Sequence, residues 1–225
     1  MGSRSALVIM AKQPAAGQTK TRICPPLAPV EAAALYEAML RDTISLAARL
    51  CAIQLAIAIT PPEAIESFRP ISPPDALLLP VSGRDIGDCM NQVLGGLLAA
   101  GYTRALALNS DGPTLPASYL STSFALLEGA DVVLGPSEDG GYYLIGLKEP
   151  RPELFRDIAW STTRVTAQTL ACAETLGLRV ALLPPWYDVD TAVDLERLRA
   201  ELEVLPREAL FHTRRFFAAH RMVSE

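Results

Sequence analysis

Residues 105–113 read ALALNSDGP, and the architecture follows from this stretch. Four uncharged apolar residues, 105–108, predict a strand buried on both faces. The run breaks at once into Asn109, Ser110, Asp111, Gly112 and Pro113, a cluster of turn formers. A carboxylate just past the carboxyl end of a buried strand lies where open α/β sheets bind ligands. There Asp111 can hold a hard cation such as Mg²⁺ against substrate phosphates. The alternative is an Asx-turn, in which the carboxylate serves only its own backbone.

On either side, strand-like apolar runs alternate with helix-like ones, which predicts βαβ units and a largely parallel sheet. Toward the N-terminus, 6–10 is a first short strand and 11–29 a loop rich in Pro, Gly, Thr and Lys. Residues 31–50 have helical spacing, with Leu35, Ala38, Met39, Leu46 and Leu50 available for a buried stripe. Residues 52–59 read as a strand ended by Pro61-Pro62. Prolines 70, 73 and 74 mark a loop, 77–79 a short strand, and 86–100 a helix stopped by Gly101. Toward the C-terminus, 116–127 reads as a helix, 131–134 and 142–147 as strands, 164–176 as a helix, and 178–183 as a strand. A helix over 192–202 has Thr191 as N-cap and Asp194 three residues on, the pattern of a capping box. Residues 1–204 are therefore read as one α/β domain and 205–225 as a C-terminal helical tail. That tail carries Phe211, Phe216 and Phe217 among arginines, and packs on the body or on a second copy, which leaves a homodimer open.

Composition narrows the function. Half of the 225 residues are hydrophobic, and 20 Lys plus Arg stand against 25 Asp plus Glu, a formal charge of −5. A mildly acidic chain without a basic block does not point to nucleic acid. No apolar run reaches the ~18 residues of a membrane span, and the N-terminus lacks the layout of a signal peptide. Ala6 breaks the myristoylation pattern after Met1-Gly2, and Met1-Gly2-Ser3 reads in part as a cloning remnant. The expectation is a cytoplasmic protein whose cysteines, at 24, 51, 89 and 172, are reduced thiols without a CxxC pair.

Three constellations carry chemistry. The first is KQPAAGQTKTR, 12–22, between the first strand and the first long helix. Lys12, Lys20 and Arg22, with Gly17 for backbone freedom, suit a loop that wraps a di- or triphosphate. It is neither a Walker A loop nor GxGxxG, and a merely solvated basic loop is the alternative. The second is YDVDT, 187–191. Asp188 and Asp190, two apart in an extended segment, face the same way and can join Asp111 at one cation; Asp190 can instead serve the dipole of the following helix. The third is PSEDGGYY, 136–143. Asp139-Gly140 signals a hairpin turn, while Gly140 and Gly141 can also let backbone approach a ligand and Asp139 bond hydroxyls. GRDIGD, 83–88, either starts a helix or lies beside a nucleotide. Trp160 to Thr163 reads mainly as a helix start with a buried indole, with an acceptor contact as the lesser alternative, and His212 and His220 as surface or packing residues. No GxSxG supports a serine hydrolase, and the missing GxGxxG disfavours a dinucleotide oxidoreductase.

Taken together, KxPxxGxTKTR, SDGP, EDGGYYLIG, AWST and DVDTAVDL resemble the small bacterial GT-A-type transferases of the nucleotide-diphospho-sugar transferase superfamily. Members are classed as glycosyltransferases, some associated with arsenosugar biosynthesis. More distantly the pattern is similar to phospholactate guanylyltransferase and molybdenum-cofactor nucleotidyltransferases. The resemblance spans residues 5–203. It implies a three-layer α/β/α domain with a mainly parallel sheet, Lys12, Lys20 and Arg22 facing phosphates, Asp111 as chief metal ligand and Asp188 or Asp190 as the second. It places Asp139, Gly140 and Gly141 on the sugar or acceptor side. Catalytic weight then falls on Asp111, Lys20 and Asp139, with Mg²⁺ or Mn²⁺ as cofactor and a nucleotide or nucleotide-sugar plus a small-molecule acceptor as partners. Cys89 stands where such relatives carry Arg, and Asn109 where they often carry Gly. Glycosyl transfer is the expected reaction; nucleotidylyl transfer with pyrophosphate release, or nucleotide binding without catalysis, are the alternatives.

Overall fold

The computed structural model describes residues 4–220. Met1-Gly2-Ser3 and residues 221–225 of the expected tail lie outside the described residues. The elements run β1 (Ser5–Lys12), α1 (Pro29–Ala47), β2 (Ile53–Thr60), α2 (Ile65–Phe68), β3 (Leu77–Pro80), α3 (Ile86–Ala99) and β4 (Arg104–Leu108). They continue with α4 (Ala117–Gly129), β5 (Val132–Pro136), β6 (Tyr142–Leu147), α5 (Val165–Thr175), β7 (Val180–Leu182), α6 (Ala192–Val204) and α7 (Phe211–Ala219). The strands form one sheet in the order β3-β2-β1-β4-β6-β5-β7. All neighbours are parallel except β6, which runs antiparallel to both β4 and β5. The expected three-layer α/β/α fold with a mainly parallel sheet is what the chain adopts.

The alternation of strand side chains explains the layers. Leu7 and Ile9 of β1 and Leu106 and Leu108 of β4 join the core under α1, α4 and α6. Ala6 and Val8, with Ala105 and Ala107, join the core under α3 and α5. The central strands β1 and β4 are thus each buried on both faces, as period-two alternation inside a two-sided sheet requires.

Helix ends differ from the sequence reading where capping decides them. The first helix begins at Pro29, whose fixed φ suits the first helical position, and Glu31 Oε2 accepts from the Ala28 N–H at 2.7 Å. The last long helix has the expected box: Asp194 Oδ2 accepts from Thr191 N at 2.8 Å, and Thr191 Oγ1 from Asp194 N. The short α2 and the 3-10 turn Pro152–Phe155 were unexpected; proline-flanked single turns carry too little periodicity to be read. In the tail, α7 packs on α1 of the same chain, and both oxygens of the buried Asp42 accept from its first backbone N–H groups, His212 N at 3.0 Å and Thr213 N at 2.8 Å. Among the described residues, no helix is long and apolar enough to cross a membrane.

Candidate active site

The β1 and β4 strands lie side by side in the sheet, yet their chains leave in opposite directions, one toward β2 and the other toward β6 and β5. A crevice opens at the carboxyl ends of such a pair, and the 12–22 loop and the loop after β4 meet there. The first loop is braced from within. Gln13 N donates to Thr60 O at 2.7 Å, Thr19 Oγ1 donates to Gln13 O at 3.1 Å and accepts from Ala15 N, and Lys12 Nζ donates to Gln18 O at 2.9 Å. Gly17 turns the loop at φ +73° with nothing against its α-carbon; it does not line the crevice.

Lys20 sits in the left-handed region at φ 54°, rare for a side chain of its size, and turns inward. Its Nζ lies 2.5 Å from Asp111 Oδ1 and 2.6 Å from Asp190 Oδ1, with the side chain only 5 % exposed. Arg22 donates to the other oxygen of Asp190. Burial alone would lower the Lys20 pKa, but Asp111 and Asp190 outweigh it and hold the ammonium above its ordinary range. For Asp190 the same two cations outweigh burial and keep the carboxyl below its ordinary value.

Asp188 is held differently. Asn109 Nδ2 donates to its Oδ1 at 2.7 Å and Ser137 Oγ to its Oδ2 at 2.9 Å. Burial, then the like charge of Asp111, pushes this carboxyl up to about 7. Val189 N donates to Asp111 O at 2.8 Å, which ties the 187–191 segment to the loop after β4. Gly112 makes room for that contact: a Cβ there would come within 3.1 Å of Tyr187 O. The two aspartates thus converge on one region as their spacing predicts, but on separate partners. Among the described residues, no three His, Cys, Asp or Glu side chains form a cage that could by itself hold a metal.

Four residues of the site were not singled out from sequence. Tyr36 of α1 shares a hydrogen bond of 2.8 Å with Ser110 Oγ and accepts from Lys12 N at 3.0 Å. Burial, then Asp111, pushes its phenol up to about 12. Asn109 and Ser137 orient Asp188. Asn109 and Ser110 stood in the turn cluster, where polar side chains aimed at a site look like turn formers; Tyr36 sits on a buried helix face and gave no signal.

The third motif is the tip of the β5–β6 hairpin. Asp139 Oδ1 accepts from Gly141 N at 2.9 Å, the local turn bond of such residues. Gly140 has φ +89°, and a Cβ on it would lie 2.2 Å from Thr163 O. Its bare α-carbon is therefore required by the hairpin packing on the 160–163 loop, and Gly141 rather than Gly140 lines the cleft. GRDIGD starts α3, with Asp85 Oδ1 accepting from Asp88 N at 2.9 Å, while Ile86 borders the crevice. Trp160 is half-buried rather than buried. Cys89 is buried in the core under α3 and does not line the cleft. His212 and His220 lie in the tail, the latter stacked on Phe216 at 4.3 Å.

The crevice has two adjoining chambers. One, about 360 Å³, is bordered by Lys12, Lys20, Arg22, Tyr36 and Asp111. The other, about 730 Å³, is bordered by Asp139, Tyr142, Trp160 and Asp188. Asp111, Asp190, Arg22 and Ile86 belong to both. Both fall within the size range of small-molecule sites. A cation-rich chamber opening into a larger one suits a substrate with a charged, phosphate-like end and an uncharged remainder.

Known structures share this arrangement of elements. A protein described as a "putative nucleotide-diphospho-sugar transferase" from Desulfovibrio desulfuricans G20 is 29% identical, with a TM-score of 0.89 over 97% of this chain and 96% of that one. The CMP:2-keto-3-deoxy-manno-octonic acid synthetase, solved with CTP, shares the fold at 13% identity and a TM-score of 0.57, covering 90% of this chain and 99% of its own. Rv0371c of Mycobacterium tuberculosis H37Rv, solved as a manganese complex, does so at 14% and 0.55, covering 88% and 98%. No curated protein matches the sequence. The fold is that of nucleotide-diphospho-sugar transferases and nucleotidyltransferases. A family model matches residues 43–162, and the chain belongs to that family, described as "Uncharacterized protein conserved in bacteria (DUF2064)".

Proposed function

We propose that this chain is a divalent-metal-dependent glycosyltransferase that uses a nucleotide-sugar and a small-molecule acceptor. The observation that carries the reading is the meeting of Lys20 and Arg22 with Asp111 and Asp190 at the crevice between β1 and β4. Cations from one loop and carboxylates from two others stand where a diphosphate and its counter-ion would be held.

The donor set fits Mg²⁺ or Mn²⁺. Asp111 and Asp188 offer hard oxygen ligands, and a half-buried Asp188 beside the like charge of Asp111 gains from a cation between them. Mg²⁺ takes one or two carboxylates and completes its shell with water and substrate phosphates, so a cage of three protein ligands is not needed. Bound there, the ion would neutralise charge on the leaving diphosphate. Lys12, Lys20 and Arg22 would bind and orient the same phosphates. Asp139, with one oxygen free beyond its turn bond, would accept a hydrogen bond from an acceptor hydroxyl.

One observation favours nucleotidylyl transfer as a second reading. Every lysine and arginine bordering the smaller chamber comes from the last residue of β1 or the loop after it, which suits a clamp on a leaving pyrophosphate. Product analysis separates the two. Incubation with nucleotide-sugars and Mg²⁺ or Mn²⁺ should release nucleoside diphosphate; pyrophosphate released from a nucleoside triphosphate would replace glycosyl by nucleotidylyl transfer. Binding without catalysis is rejected by turnover of either kind. For the metal, Asp111→Ala should leave the circular dichroism spectrum intact and remove the Mg²⁺-dependent part of nucleotide affinity in calorimetry. Equal affinity in both proteins would refute the assignment.

A further inference from the structure

The larger chamber differs from the smaller in one respect that decides what it can take. Among the described residues that line it there is no lysine and no histidine. Its one cation, Arg22, is paired with Asp190. Its own wall is Asp139, Ser161, Thr162 and Thr163, and an aromatic surface. With a metal at Asp111 and Asp188, and with that metal and Arg22 both committed to the phosphates, an anionic group placed beside Asp139 would meet a carboxylate and no other lining cation, an arrangement that rejects like charge.

The aromatic surface is built, not incidental. Trp160 rests on the first turn of α3, where a Cβ on Gly87 would come within 2.3 Å of the indole. The Tyr142 ring meets it edge-on, centroids 6.1 Å apart at 80°. Seated from two sides and still half-exposed, the indole is a rigid platform of low ordering cost. Asp139 stands on the same chamber with its second oxygen free of the turn bond. Flat apolar contact and a carboxylate acceptor lining one chamber suit a ring that carries hydroxyls.

We propose that this chamber selects an uncharged, hydroxyl-bearing acceptor that lays an apolar face on Trp160, and excludes phosphorylated or carboxylated acceptors. The word acceptor rests on the transferase reading; the binding preference does not, and it is read without turnover. The chain has two tryptophans, so Trp186→Phe leaves Trp160 as sole reporter. With Mg²⁺ and inorganic pyrophosphate filling the phosphate side, Trp160 emission is titrated with glucose, glucose 6-phosphate and gluconate. Glucose should act at concentrations about tenfold lower than either anion. Asp139→Asn, which keeps a turn-forming oxygen, should narrow that gap by weakening glucose and admitting the phosphate ester. Calorimetry on Trp160→Leu should show glucose binding lost with pyrophosphate binding retained. Glucose 6-phosphate or gluconate binding as well as glucose, no response to glucose, or glucose binding unchanged in Trp160→Leu would each overturn the proposal. Failure to release nucleoside diphosphate from any nucleotide-sugar would count against the transferase reading alone.

Discussion

Lys20 Nζ lies 2.5 Å from Asp111 Oδ1, inside a pocket that leaves the lysine almost fully buried. The same ammonium reaches Asp190 at 2.6 Å. A divalent ion bound to Asp111 would compete with Lys20 for that oxygen, and the displaced ammonium would be free to bind phosphate. Metal and phosphate binding would therefore be coupled through one side chain.

Replacing Lys20 with methionine tests this. Asp111 loses its counter-ion and Asp190 keeps only Arg22, so stability without divalent ions should fall by about 3 kcal/mol. Added Mn²⁺ should restore part of it by binding the native state. Pyrophosphate affinity should weaken by about 1.5–3 kcal/mol, the worth of a charged hydrogen bond. Urea unfolding with a chelator and with Mn²⁺, plus calorimetry, reads all three. Unchanged stability and affinity would make Lys20 a solvated surface charge.

Much of this geometry can be read along the chain because it is local. Residues 105–111 place Asp111 because a buried strand followed by turn formers has one way to end. Thr191 and Asp194 cap α6 because the box closes within four residues. What resisted reading depends on distant partners. Only the fold shows that Lys20 adopts a left-handed backbone and points inward. The relay from Lys12 N through Tyr36 to Ser110 needs β1, α1 and β4 at once. The spacing of Asp188 and Asp190 indicates a common direction, but not that one would pair with cations and the other with Asn109 and Ser137.

Gly140→Ala distinguishes a hairpin requirement from a ligand contact. At φ +89° the new Cβ would be strained, and it would strike the backbone of Thr163 at 2.2 Å. Stability should drop by about 2 kcal/mol or more. Pyrophosphate binding, which belongs to the other chamber, should persist in the folded fraction. A variant as stable as the parent would mean that the 160–163 loop yields without cost. Loss of pyrophosphate binding at full stability would put Gly140 on the phosphate side.

Acid should weaken the far edge of the sheet first. Asp131, just before β5, accepts from the Arg179 guanidinium at 2.9 and 3.0 Å and from the Arg179 backbone N–H at 3.0 Å, which clips β5 to β7. Those bonds hold its carboxyl well below the usual carboxylate range. A folded-state pKa below the unfolded one, about 3.9, adds stability that is complete above that value and disappears as pH falls through the folded one. Asp131→Asn should therefore be less stable than the parent at neutral pH, with the gap closing below about pH 4. Denaturant midpoints across that window measure it. A gap that widens on acidification would show that the pairing favours the protonated form.

The tail gives the last test, because its attachment depends on one carboxylate. Asp42 is buried in α1, and both of its oxygens serve the first N–H groups of α7. A carboxylate there satisfies donors that the helix cannot satisfy itself and complements its dipole. Phe216 and Phe217 add apolar contact with the core beside α1, so the helix has a second hold on the body. Asp42→Ala leaves the N–H groups buried without partners, and should cost about 1–2 kcal/mol. The loss should be local: limited proteolysis should cut within 205–212 faster, while pyrophosphate affinity at the crevice beside Tyr36 stays unchanged. Cleavage at the parental rate would place the attachment of α7 in its phenylalanines instead. A fall in pyrophosphate affinity with intact α1 helicity would show instead that the tail reaches the site through Tyr36.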